Sequence, residues 1–63
     1  MEFQTVHTST INGCPVTLYA IDSPIGAIQI LDSTDAAGKR ETNFFMDAVK
    51  ADTEYKRAVK RML

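Results

Sequence analysis

The sequence predicts an α+β fold in which a three-stranded antiparallel β-meander packs on a C-terminal amphipathic helix. Three observations predict it: an Asn-Gly turn between two strand-like runs, a β-branched run after a second turn, and a change to helical spacing near residue 41. The chain has 63 residues, so we expect a single small domain over residues 1–63. A chain of this length buries a small core, which other small proteins supplement by association.

The predicted N-terminal hairpin spans residues 2–21 and turns at Asn12 and Gly13. Both positions of a two-residue turn favour positive φ, which Asn and Gly adopt most easily. This turn predicts five pairs, listed outward: Ile11 with Cys14, Ser9 with Val16, His7 with Leu18, Thr5 with Ala20 and Phe3 with Asp22. One face then collects mostly apolar residues: Phe3, Ile11, Cys14, Val16, Leu18 and Ala20. The other face carries Gln4, Val6, Thr8, Thr10, Thr17, Tyr19 and Ile21.

The third predicted strand covers about residues 26–31 and follows a turn-forming stretch at residues 22–26. In that stretch Asp and Ser bond the backbone, Pro fixes φ and Gly permits positive φ. Pro15 lies beside the Asn-Gly turn and lacks the amide that would face a third strand. We therefore expect the third strand to pair lower on the hairpin, near residues 18–21.

The C-terminal segment, about residues 41–62, has the spacing of an amphipathic helix. Its stripe advances in steps of three and four residues: Phe45, Ala48, Asp52, Tyr55, Val59 and Met62. Asp52 interrupts the stripe, and Asp52 and Thr53 are residue types that cap helix N-termini. The pattern allows one helix, or two helices that meet at Asp52. The absence of Gly and Pro from the segment favours one helix.

A single helix can cover only one side of the predicted sheet. The other side holds Val6, Tyr19 and Ile21, and no further segment of the chain is left to cover them. Apolar surface of this kind is typical of an interface. We therefore expect a homodimer or a contact with another protein there, with Val6, Tyr19, Ile21 and Asp22 as candidate partner-binding residues.

Few residues in the chain are suited to enzyme chemistry. His7 and Cys14 lie on the same predicted face, but the register separates His7 from the position opposite Cys14 by about 13 Å, at 3.3 Å per residue. A catalytic pair needs hydrogen-bond distance. We expect Cys14 to act as a small apolar residue, and His7 to be partly buried with a backbone hydrogen bond. One Cys and one His are too few for the common zinc sites, so we expect no catalytic residues, no metal and no cofactor.

The charged residues are divided unevenly along the chain. Residues 1–38 contain four acids and no Lys or Arg, whereas residues 39–63 contain seven bases and four acids. Four of the bases form a stripe on the predicted helix: Lys56, Arg57, Lys60 and Arg61. Such a stripe can bind phosphates, although cations are also common at helix C-termini, where they offset the helix dipole. Because the whole chain has a net charge of −1, nucleic-acid binding is the alternative and not the first hypothesis.

The function that we expect is that of a small non-enzymatic protein-interaction module. The first candidate is a regulator or inhibitor, such as a phage or mobile-element protein that acts on a host enzyme or defence complex. A small regulatory subunit is the next candidate, and in both cases the partner is another protein that the sequence does not identify. No segment has the pattern of a signal peptide or a membrane span, and the one unpaired cysteine suits a reducing compartment, so we expect a cytoplasmic protein.

Overall fold

The computed structural model describes residues 3–63 as a four-stranded antiparallel sheet with one helix packed on one side. Its elements are β1 (Phe3–Ile11), β2 (Cys14–Ser23), β3 (Gly26–Thr34), β4 (Arg40–Phe45) and α1 (Ala48–Met62). The strands follow one another in the order β1-β2-β3-β4. The predicted α+β arrangement is confirmed, with one strand more than the sequence predicted. Residue 2, where the predicted hairpin begins, lies outside the described residues.

The turn between β1 and β2 forms as predicted. Asn12 and Gly13 have φ values of 53° and 81°, which few residues other than Asn and Gly adopt without strain. Three of the predicted pairs form as expected: Ile11 with Cys14, Ser9 with Val16, and His7 with Leu18. Local turn chemistry therefore sets the register of this half of the hairpin.

Beyond His7 the predicted register is wrong by one residue, because a β-bulge leaves Val6 without a partner. The predicted pairs Thr5 with Ala20 and Phe3 with Asp22 are replaced by Thr5 with Tyr19 and Phe3 with Ile21. Since side chains alternate along a strand, this shift moves Phe3 to the opposite side of the sheet. There its ring meets that of Tyr19 edge to face, with the ring centroids 6.0 Å apart.

β3 is longer than predicted and ends at Thr34. It pairs with β2 from Ser23 to Val16, so the expected pairing near residues 18–21 is confirmed and extended. β3 does not pair with Pro15, as expected for a residue without an amide. In the turn before β3, the hydroxyl of Ser23 donates to the carbonyl of Gly26 at 2.6 Å.

β4 takes the place of the first turns of the predicted helix. Its residues include Thr and Phe, which strands favour, and Phe45 matched the helical stripe only through its spacing. The connection from β3 turns at Asp35, whose carboxylate accepts hydrogen bonds from the amides of Ala37 and Lys39 at 3.0 and 2.9 Å. The predicted helix start near residue 41 is therefore wrong.

α1 begins at Ala48 because Asp47 is its N-cap. The carboxylate of Asp47 accepts from the amides of Val49 and Lys50 at 2.9 and 3.3 Å. The helix continues without a break through Asp52 to Met62. The favoured single helix is confirmed and the two-helix alternative is wrong, because the carboxylate of Asp52 binds other side chains and caps nothing.

The core lies between α1 and one side of the sheet, which we call the covered face. It is formed by six buried residues: Val16, Leu18, Leu31, Ala51, Tyr55 and Ala58. Phe45, Val59 and Met62 pack partly buried around it. Val16 and Leu18, in the middle of β2, are its largest fully buried side chains. The core is small, as the chain length predicts.

Candidate interaction surface

No element within residues 3–63 covers the other side of the sheet, which we call the open face. Alternation along β2 decides which side chains reach it. Val16 and Leu18 are buried against α1, so Tyr19 and Ile21 point the opposite way. Residues paired across neighbouring strands lie on the same face of the sheet. Three such pairs continue the open face over β3 and β4: Tyr19 with Ile30, Ile21 with Ile28, and Ile30 with Phe44.

Six side chains form the apolar half of the open face: Phe3, Tyr19, Ile21, Ile28, Ile30 and Phe44. Phe3 and Phe44 lie on the two edge strands and are 61% and 68% exposed. The other four are half-buried, although no second layer lies over them within the described residues. Single exposed apolar residues are common on proteins, but a contiguous group of this size is typical of a binding surface.

The polar half of the open face lies at the other end of the same strands. It contains five polar or charged side chains: Thr8, Thr17, Asp32, Arg40 and Thr42. Arg40 donates to Asp32 through Nε at 2.9 Å and through Nη2 at 2.6 Å. Thr42 donates to the same carboxylate at 3.2 Å. These bonds, that of Arg40 foremost, hold the pKa of the Asp32 carboxyl below its usual range.

A shallow depression of about 370 Å³ lies where the two halves meet. It is lined by Phe3, Tyr19, Ile30, Asp32, Arg40 and Thr42. The ring of Phe3 and the side chain of Ile30 make its surface apolar at one end, and the Asp32–Arg40 ion pair lies at the other. This arrangement suits an apolar side chain that inserts with a polar group beside it.

The predicted partner-binding residues occupy different parts of the molecule. Tyr19 and Ile21 lie on the open face, as predicted. Val6 is at the bulge of β1 and is 45% exposed. Asp22 alternates to the other side of β2, opposite Ala27, and is therefore separated from Tyr19 and Ile21.

The prediction missed four of the six residues in the apolar half of the open face. Phe3 was assigned to the covered face because the bulge at Val6 has no signal in a Thr-rich strand. Phe44 was assigned to the helix. The alternation of Ile28 and Ile30 was visible in the sequence, and pairing them with Ile21 and Tyr19 would have extended the surface.

His7 and Cys14 do not form a catalytic pair. His7 lies opposite Leu18 and Cys14 lies next to the turn. The Nε2 atom of His7 is 2.9 Å from Oδ1 of Asp52, and its ring stacks on Tyr55 with centroids 4.9 Å apart. The expectation of a partly buried His7 with a backbone hydrogen bond is therefore wrong: the side chain is exposed and bonds to a carboxylate. Because an ionised carboxylate only accepts hydrogen bonds, Nε2 of His7 carries the proton. The hydrogen bond and the ring stacking both connect β1 to α1.

The nucleophiles near this cluster have other partners. The hydroxyl of Ser9 is hydrogen-bonded to the hydroxyl of Tyr55, and His7 is bonded to neither. The sulfur of Cys14 lies 3.9 Å from the carbonyl oxygen of Asn12. Within residues 3–63, no group of three or more His, Cys, Asp or Glu side chains is placed to hold a metal ion. The described side chains therefore supply no nucleophile that is hydrogen-bonded to a base.

The four cations of the predicted stripe lie on the exposed side of α1. Lys56 is 2.9 Å from Asp52 and Arg57 is 3.2 Å from Glu54, both at ordinary helical spacing. Among the described residues, Lys60 and Arg61 form no ion pair. The hydrogen bond from Lys56 is the main reason that the pKa of the Asp52 carboxyl is lowered, with a smaller contribution from His7. The unpaired cations are those nearest the helix C-terminus, where the dipole favours them.

The helix within residues 3–63 is too short and too polar to cross a membrane. No protein-family model, curated protein or solved structure matches this chain significantly. Two surfaces are therefore the candidate sites of function: the open face of the sheet and the exposed side of α1.

Proposed function

We propose that this chain is a small non-enzymatic protein-interaction module, a regulator or inhibitor, that binds another protein through its open face. The observation that supports the proposal is the apolar half, in which six large side chains lie side by side without a covering layer in residues 3–63. Each square ångström of apolar surface that a partner covers contributes about 25 cal/mol. Aromatic residues such as Phe3, Tyr19 and Phe44 are the types that most often dominate binding energy.

The charge of the open face favours a protein partner over a nucleic acid. Asp32 and Arg40 are the charged side chains of this face among residues 3–63, and they neutralise each other. Nucleic-acid binding depends on cations that are free to reach phosphates. Arg40 already makes three hydrogen bonds to Asp32, so a phosphate would have to displace a carboxylate.

The experiment compares three forms of the chain as bait in lysate from the source organism: wild type, Phe44→Glu and Val49→Glu. Phe44 lies on the open face, whereas Val49 is an exposed apolar residue, 76% accessible, on α1 at the other side of the sheet. We expect a specific protein to be retained by wild type and Val49→Glu and lost with Phe44→Glu. Equal retention by all three forms would contradict the proposal.

The alternative function is nucleic-acid binding through the exposed side of α1. It is supported by Lys60 and Arg61, which lack ion-pair partners among the described residues. If four cations met phosphates, affinity would fall on the order of 100-fold between 50 and 200 mM salt. A gel-shift titration with Lys60→Glu combined with Arg61→Glu tests this, because the double change must then abolish binding.

A cytoplasmic location and a homodimer belong to the same proposal. The unpaired thiol of Cys14 is half-buried and suits a reducing compartment. Self-association would use the open face, because that is the apolar surface left without a cover in residues 3–63.

A further inference from the structure

We infer that a second copy of this chain occupies the open face when no other partner is bound, with the two sheets packed face to face about a two-fold axis. The inference rests on the proposed function, because it uses the same docking surface. It adds a regulatory property: self-association and partner binding exclude each other. Charge, area and the arrangement of side chains on the open face support it.

Two identical faces can approach only if their charges do not repel each other. The open face carries Asp32 and Arg40 within residues 3–63, already joined by three hydrogen bonds. Its local charge is therefore zero. By contrast, two copies of the exposed side of α1 would bring Lys60 and Arg61 against their own equivalents.

The area of the open face reaches the lower limit for a specific interface. The strands β1 to β3 are nine or ten residues long. With the six-residue β4, these strands make a sheet with roughly 500 Å² on one side, at about 3.3 Å per residue and 4.8 Å between strands. The molecule is flat, with Cα extents of 36 × 21 × 15 Å, and the open face is one of its two broad sides. Two copies would bury roughly 1,000 Å² in total, at the low end for a specific interface, which predicts a weak, reversible dimer.

The side-chain layout is compatible with two-fold symmetry. The two-fold axis runs parallel to the strands, midway between the two sheets and in line with the gap between β2 and β3. It places β1 of one copy over β4 of the other and leaves each residue at the same height along the strand direction. The apolar half then lies on the apolar half, with Tyr19 over Ile30 of the second copy. In the polar half, Asp32 lies over Thr17 of the second copy and not over another carboxylate. Both α1 helices lie on the outside, so their cations point in opposite directions.

The test is sedimentation velocity of the full chain from about 1 to 500 μM, a range that brackets weak dimers. We expect wild type and Val49→Glu to shift from 7.0 kDa to twice that mass as concentration rises. Phe44→Glu should stay at 7.0 kDa, because it sets two carboxylates in the interface. Phe3→Glu, on the other edge strand, should behave like Phe44→Glu. Circular dichroism confirms that each variant is folded.

Wild type that remains monomeric over the whole range would overturn the inference. A dimer that survives both Phe3→Glu and Phe44→Glu would also overturn it, because the contact would then lie elsewhere. The lysate experiment separates this outcome from the proposed function. A monomeric wild type that still captures a protein in a Phe44-dependent manner refutes the self-association alone. A Phe44-dependent dimer that captures nothing refutes the proposed partner and leaves the self-association in place.

Discussion

The two sides of the sheet use similar apolar residues and differ in what lies over them. On the covered face Val16 and Leu18 are 0% and 1% exposed beneath α1. On the open face Tyr19 and Ile21, which are their neighbours along β2, remain half-exposed. The same strand thus supplies the core with one set of side chains and the open face with the other. Apolar residues on the covered face stabilise the fold, whereas those on the open face are available for binding.

The largest expected effect comes from the covered face. Leu18→Ala should lower the free energy of unfolding by about 2–5 kcal/mol, because it leaves a cavity at a fully buried site. Ile21→Ala, on the open face, should cost clearly less. Urea denaturation at low protein concentration measures both. Equal losses would show that the two sides contribute equally to the stability of the monomer.

The next largest effect on stability is expected at the N-terminus of α1, the helix that packs on the covered face. Asp47→Ala removes the acceptor for the amides of Val49 and Lys50 and should cost about 1 kcal/mol. Asp47→Asn keeps a capping oxygen and is the matched control. Thermal denaturation followed by circular dichroism compares the two. A loss of similar size in Asp47→Asn would mean that the charge matters more than the cap.

At acid pH we expect the free energy of unfolding to fall as two carboxyl groups are protonated, one on the open face and one beside the covered face. The folded-state pKa values of Asp32, on the open face, and Asp52, beside the covered face, are lowered from 3.8. A lowered pKa means that the charged form is favoured on folding, so the stabilisation is present above pH 3.8 and is lost as pH falls through the folded values. Asp32→Asn and Asp52→Asn should each flatten part of the decline in stability measured from pH 5 to pH 2. A decline that is unchanged in both variants would contradict this assignment.

The smallest effect on stability is expected for Phe44→Glu. The side chain is 68% exposed in the described chain, so the free energy of unfolding of the dilute monomer should change by no more than about 0.5 kcal/mol. Binding through the open face should nevertheless be lost. Chemical denaturation of the dilute protein, set beside the lysate experiment, checks the separation of stability from binding. A large destabilisation would mean that Phe44 belongs to the fold itself.

Local signals in the sequence were sufficient for about half of the architecture. The Asn12-Gly13 turn, the alternation along β2 and the single helix were all predictable, because each depends on residues close together in the chain. The bulge at Val6 was not, since a strand rich in Thr has no apolar pattern that opposes a one-residue shift. The open face followed the same division: Tyr19 and Ile21 were found, whereas Phe3 and Phe44 were not.

By itself, the sequence determined the α+β class, the hairpin turn and the presence of a second apolar side of the sheet, because these follow from turn chemistry and periodicity. The tertiary structure decided that residues 40–45 form β4 and not helix, since their backbone groups pair with β3 across the sheet. It also decided the extent of the open face. Phe3 and Phe44 reach that face through strand register, and register depends on pairing between segments that are distant in the chain.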